Sequence, residues 1–293
     1  MEGKIAKLVT KSESQEFLMT SMKKPTKYCP LDVARVFQVH SQNDKNPDYT
    51  DLVCLPEDQV MLIDSYNSRC CLLDSLFRNL SSCSLPGKPW SVRMFDGQEV
   101  AVSLPNKNQI QFLAVKDNTI RPTRMIKTRL PSFGIAIIGK GSIVVSGPNT
   151  ARSKCYWSVI TDRRDDTSYH EYLDKACPDN FMALNASKTR VYISSSEANS
   201  LFCFDMAGRR LFVYSPDNLK CSGGVTLDMD NNVYVVGCIS NNVHKLSPDG
   251  AVLKILTAGL PLTPAAITYN KTTNQLFLTN FSSKKKIHVI KLG

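Results

Sequence analysis

Residues 228 to 232, DMDNN, form a compact group of potential metal ligands, so calcium chemistry is the first to weigh. An EF-hand loop needs Asp at positions one and three, a turn-making Gly at six and a bidentate Glu at twelve. Counting from Asp228, Asp230 and Asn232 fit, but position six is Val233 and position twelve is Ile239. Asp and Asn bond their own backbone and tolerate left-handed dihedrals, and an apolar run flanks the cluster on each side. The pattern therefore predicts a hairpin turn rather than a calcium site. Zinc is no better served. The ten cysteines contain no C-x-x-C, and His40, His170, His244 and His288 lie far apart. Most cysteines sit in apolar runs (RCCLLD, LFCFD, VVGCIS), where the thiol behaves as a small hydrophobe. There is no G-x-S-x-G nucleophile elbow and no P-loop. The expectation is a non-enzyme with no catalytic residues, metal or cofactor.

Composition bounds the partners. The chain has 293 residues, 42% of them hydrophobic, and a formal charge of +10 with a pI near 9.1. That balance favours an acidic partner, either nucleic acid or an acidic protein surface. The start, MEGKIAKLVTKSESQEF, lacks an apolar signal region, and no run of apolar residues is long enough to span a membrane. The expectation is a monomer in the reducing cytoplasm, without disulfides and without membrane contact; the sequons at Asn79, Asn185, Asn270 and Asn280 then carry no meaning.

The elements that position these residues repeat. Strand-like runs begin at Val60 (VMLID), Val100 (VAVSL), Ile143 (IVVSG), Val191 (VYISS), Val233 (VYVVG) and Leu276 (LFLTN), at intervals of 40, 43, 48, 42 and 43 residues. Each follows an apolar run and a polar turn, and each precedes a polar loop and a third apolar run. Periods of this length with about four short strands per unit are the mark of a β-propeller. The expected fold is all-β: a six-bladed β-propeller over residues 31–293, with residues 1–30 an extension or linker. The blades fall near 50–85, 88–128, 132–175, 180–216, 222–258 and 263–292. The last unit lacks a fourth strand, and ARVFQVH, residues 34–40, is a lone strand-like segment. Donating it to the sixth blade would close the ring and remove two sheet edges.

With these residues in view, the chain resembles the NHL-repeat propellers, a TolB-like six-bladed architecture. GGVTLDMDNNVYVVGCISNNVHKLSPDG matches their glycine–hydrophobic–Asp…Tyr-Val…Asn-Asn…Asp-x-x-Gly pattern, and MLIDSYNSRCCLLD their second-to-third-strand segment. WSVRMFDGQEVAVSLPNKNQIQFLAV is similar to blades attached to tripartite-motif (TRIM) proteins of invertebrate type. The resemblance spans roughly residues 34 to 292 and is weakest in the third blade. It implies a substrate-recognition wheel of a ubiquitin-ligase family, binding a protein substrate or, alternatively, single-stranded RNA. No RING or B-box cross-brace and no heptad coiled coil is present, so ligase activity is not expected in this chain as given. A further alternative is a lactonase-type hydrolase with a metal in the axial channel. Asp64 and Asn280 sit at the right strand ends for that, but Leu104, Gly147, Ser195 and Gly237 occupy the equivalent positions.

In such a wheel the loops between second and third strands share one rim with the inter-blade connections. Here those loops carry Arg69, Lys107, Arg152, Lys154, Lys284, Lys285 and Lys286 against Asp64 and Glu197, with Tyr66 and Phe281 among them. This basic rim is the candidate ligand-binding surface. Its aromatic residues are suited to stack on bases or anchor a peptide. Solvation of an exposed face is the competing role for the same lysines.

Overall fold

The computed structural model describes residues 28–39, 46–139, 141–149, 151, 153–161, 166–173, 180–257, 263–281 and 286–292. Two N-terminal strands, β1 (Tyr28–Pro30) and β2 (Val33–Gln38), precede the wheel proper. Blade one is β3 (Tyr49–Cys54), β4 (Val60–Asp64), β5 (Arg69–Leu73) and β6 (Asn79–Ser84). Blade two is β7 (Val92–Asp96), β8 (Glu99–Leu104), β9 (Gln109–Lys116) and β10 (Thr119–Lys127). Blade three is β11 (Gly134–Gly139), β12 (Ser142–Pro148), β13 (Cys155–Thr161) and β14 (Asp166–Leu173). Blade four is β15 (Asn180–Leu184), β16 (Arg190–Ser195), β17 (Ser200–Asp205) and β18 (Arg210–Tyr214). Blade five is β19 (Ser222–Leu227), β20 (Val233–Gly237), β21 (Asn242–Leu246) and β22 (Val252–Thr257). Blade six is β23 (Pro264–Asn270), β24 (Gln275–Asn280) and β25 (Lys286–Lys291), completed by β2. The chain is a six-bladed β-propeller.

Burial follows position in the blade. Every residue of β4 and of β20 is buried, because a second strand is covered on both faces by neighbouring blades. Outer strands such as β6 and β18 alternate with solvent. The core is accordingly a ring of inter-blade layers. Met61, Ile63 and Leu72 of blade one meet Val100, Val102 and Leu113 of blade two, and Tyr234 and Val236 of blade five meet Leu276 and Leu278 of blade six. Inner strands approach closely where side chains are absent. A Cβ on Gly224 would lie 2.6 Å from the Ile267 nitrogen of blade six, so the Gly-Gly opening of β19 is a packing requirement.

Ring closure runs through β2, which pairs antiparallel with β25 with Val36 opposite His288. Phe37 of β2 then packs on Phe77 of blade one at 4.6 Å between ring centroids, and Phe77 meets Phe277 edge-on at 5.2 Å. The closing strand spans Val33–Gln38 rather than 34–40, and His40 lies outside the described residues. The stretch read as an extension also contributes. Its last residues form β1, which runs parallel to β22 with Tyr28 opposite Ile255 and gives blade five a fifth strand. Three residues are too few to show the alternation that marks a strand in sequence.

The acidic cluster is a turn. The Asp228 carboxylate accepts hydrogen bonds from the Asp230 and Asn232 nitrogens at 3.0 and 2.9 Å, and Asn231 takes a positive φ of 61°. The device recurs: Asp74 accepts from Leu76 and Arg78, and Asp205 from Ala207 and Arg209, at the same two spacings.

Candidate binding face

Antiparallel order puts the second-to-third-strand loops and the inter-blade connections on one rim, the loop rim, and the two other sets of turns on the opposite, turn rim. Between them runs the axis, lined by β3, β7, β11, β15, β19 and β23. Part of that axis is spanned by protein. Asp51 of blade one, 1% exposed, accepts from Ser91 Oγ at 2.8 Å, from the Val92 nitrogen at 3.0 Å and from Arg93 at 2.5 Å. The Arg93 guanidinium, from blade two, also donates to the Met182 carbonyl of blade four at 3.0 Å, beyond the neighbouring blade. On the loop-rim side Trp90 donates its indole N–H to the Asn180 carbonyl at 3.3 Å and packs against Phe133 and Phe181. Asp64 and Asn280 are engaged in their own blades. Asp64 accepts from the Asp48 and Asn67 nitrogens, the Asn67 side chain and Arg69, while Asn280 bonds the Lys286 carbonyl and His288. No group of three His, Cys, Asp or Glu converges among the described residues.

The expected rim residues divide into three groups. Tyr66 and Phe281 stand out from their loops, 59% and 44% exposed. Lys107 and Lys286 are exposed on the same rim. Arg69 and Lys154 are held by carboxylates: Arg69 lies 3.2 Å from Asp64, and the Lys154 ammonium 2.7 Å from Glu171, whose carboxyl it holds below the ordinary range. Arg152, Lys284 and Lys285 lie outside the described residues.

The structure adds members that the loop inventory missed. Ile239, in the blade-five loop next to that of Phe281, is 76% exposed, and Tyr28 of β1, bonded through its hydroxyl to Asn218, is 59% exposed. Tyr28, Ile239, Phe281 and Tyr66 thus occupy one rim over blades five, six and one, in sequence around the wheel. Ile239 is legible as an apolar residue inside the polar GCISNN loop. Tyr28 is not, because only β-pairing brings it to blade five.

A second arc lies over blades two and three. Lys88 and Lys127 come from inter-blade connections and strand ends, where they join Lys107 and Arg129. The loops are physically tied: the Lys88 nitrogen donates to Asn106 Oδ1 at 3.1 Å, and the Thr128 nitrogen to the Asn108 carbonyl at 2.8 Å. Among the described residues, no carboxylate lies within ion-pair distance of these four cations. Among the described residues, the exposed apolar side chains of this rim gather over blades five, six and one, where Lys286 is exposed beside them, and a cluster of cations lies over blades two and three.

No protein-family profile matches this chain, and no curated protein matches its sequence. Solved structures do match in shape. Virginiamycin B lyase from Staphylococcus aureus superposes with a TM-score of 0.62 at 13% identity, over 88% of this chain and 99% of that one. A luciferin-regenerating enzyme gives 0.65 at 12% identity, over 88% and 95%. The Cps50 (Swd1) β-propeller domain of Myceliophteria thermophila gives 0.61 at 11% identity, over 89% and 86%. Identities this low establish a shared fold and nothing finer, and this fold carries both enzymes and non-enzymes.

Proposed function

We propose that this chain is a non-enzymatic recognition module that captures a protein ligand on its loop rim, as the resemblance to substrate-recognition wheels of tripartite-motif ubiquitin ligases implies. The observation that carries the reading is the arc of Tyr28, Ile239, Phe281 and Tyr66, four large apolar side chains exposed on consecutive blades. Interface energy concentrates in a few such anchors, each costing about 1 to 4 kcal/mol when truncated. The experiment is crosslinking-coupled recovery from cells with the wild type and a Tyr66→Ala, Ile239→Ser, Phe281→Ala triple variant. A specific protein recovered with the wild type should fall at least about tenfold with the variant, at unchanged thermal stability. Equal recovery would remove the arc from the interface.

Single-stranded RNA is the second reading, favoured by Lys88, Lys107, Lys127 and Arg129, which have no carboxylate within ion-pair distance among the described residues. It separates cleanly by salt. With about four to six phosphates engaged, the log–log slope of affinity against salt would be roughly −3 to −4. Binding of that kind, lost on replacing Lys88, Lys107 and Lys127 by Glu and untouched by the aromatic variant, would establish RNA in place of protein.

A further inference from the structure

The turn-rim half of the axis is not filled. Beneath the Arg93 bridge lies a cavity of about 250 Å³ to which all six inner strands contribute. Its walls are apolar: Val53 of blade one, Ala136 of blade three, Ala183 of blade four, Val225 of blade five and Ile267 of blade six, with Met94 of blade two. Thr226 and Thr268 add hydroxyls. Its two charged lining residues are both cations, Arg93 and Lys188.

The two cations differ in what they already hold. Arg93 spends three N–H groups on Asp51, the Val92 carbonyl and the Met182 carbonyl, and a guanidinium has five. It is fixed in place with donors to spare. Lys188 stands in the turn between β15 and β16, with a backbone φ of 57°, and lines the cavity from there. No carboxylate lies within ion-pair distance of it among the described residues. Lys188 is exposed as a residue, and partial burial beside the cavity holds its ammonium below the ordinary lysine range, the direction expected of a cation without a counter-ion. Asp51 neutralises Arg93 only, so the cavity keeps a net positive charge.

We propose that this axial cavity binds a small organic anion with an apolar body, the body against the six-strand wall and the carboxylate paired with Lys188 and the spare Arg93 donors. A closed ring of aliphatic side chains supplies burial without hydrogen-bond demands, and two cations with no carboxylate among the described lining residues select against neutral and cationic ligands. The volume falls below that of a drug-sized site, which restricts the body to fragment size. This site lies on the face opposite the proposed protein interface, and neither reading depends on the other.

Hexanoate is the test ligand, with hexan-1-ol as its uncharged counterpart, titrated into the full chain and followed by amide NMR. Hexanoate should shift the resonances of Ala183, Lys188, Val225 and Ile267 with millimolar or tighter affinity, as ligand efficiency allows for so few atoms. Hexan-1-ol should bind at least about tenfold more weakly. Lys188→Met should weaken hexanoate about fivefold or more and leave hexan-1-ol unchanged. Ala183→Leu, which fills the cavity, should abolish both, while thermal unfolding shows that each variant folds. Equal affinity for acid and alcohol, an unchanged hexanoate affinity in Lys188→Met, or no shift up to about 50 mM hexanoate would each overturn the proposal.

Discussion

At the scale of single residues, burial decides chemistry that composition leaves open. His244 is fully buried in β21, with Nδ1 2.6 Å from the Tyr214 hydroxyl, and burial pushes its pKa from an ordinary 6.5 down to about 4. The folded state therefore binds fewer protons than the unfolded state between those two values. Stability contributed by the neutral ring is present above the ordinary pKa and is lost as pH falls through the window, at up to about 1.4 kcal/mol per unit. His288 is shifted in the same direction, first by burial and then by Lys286. Urea unfolding at pH 7 and pH 4.5 should show a wild-type loss on the order of 2 kcal/mol greater than that of His244→Gln. Identical pH dependence in the two proteins would mean that the loss arises elsewhere. Asp228 shows the opposite balance. Burial works against its charge, but hydrogen bonds from Asn232, the Lys245 ammonium and the Tyr234 hydroxyl hold its carboxyl below the ordinary range. The residue that looked most like a metal ligand is a turn builder.

At the scale of elements, the inner strands are coupled by one buried ion pair. Arg93 joins β7 to Asp51 of β3 and to the Met182 carbonyl of β15, and both charged side chains are largely out of solvent at 17% and 1% exposure. A buried pair of this kind contributes little net energy when intact, yet breaking it strands a charge. Arg93→Met should cost about 3 to 5 kcal/mol in denaturant unfolding, and adding Asp51→Asn should recover part of that loss. A loss below about 1 kcal/mol for Arg93→Met would show that Asp51 is satisfied by Ser91, Val92 and the Leu52 nitrogen without it. The turns between strands are local by contrast. Those at Asp74, Asp205 and Asp228 are each closed by one carboxylate within its own turn, so their geometry repeats around the wheel.

At the scale of the molecule, no blade buries both its faces alone, and stability rests on closing the circle. β2 closes it non-covalently, covering the edge of β25 and seating Phe37 on Phe77. Deleting residues 1–39 removes β1 and β2 together, leaves β25 and β22 as unprotected edges, and should produce aggregation and a broad, lowered thermal transition. Deleting residues 1–27 keeps both strands and should leave the transition within about 2 °C of the wild type. Light scattering and calorimetry on the pair decide it. Equal, cooperative unfolding of the two truncations would show that the ring holds without β2.

Strand identity and blade number were legible in the chain because they depend on near neighbours. Runs such as VMLID and VYVVG are apolar throughout since both their faces are covered, and the Asp/Asn turns close within four residues. The need for a donated strand was visible too, as a sixth unit short of its partner. Tyr66 and Phe281 could be picked out as aromatic residues in polar loops. What tertiary structure alone decided is which charges remain available. Lys154 meets Glu171 from 17 residues away, and Arg93 reaches a carbonyl 89 residues on. Nor does linear spacing show that Tyr28 reaches the rim or that Lys188 overhangs an apolar cavity. The reason is physical: strand propensity and turn chemistry act within a few residues, whereas ion pairing and burial are set by distances through space, which only the closed wheel determines.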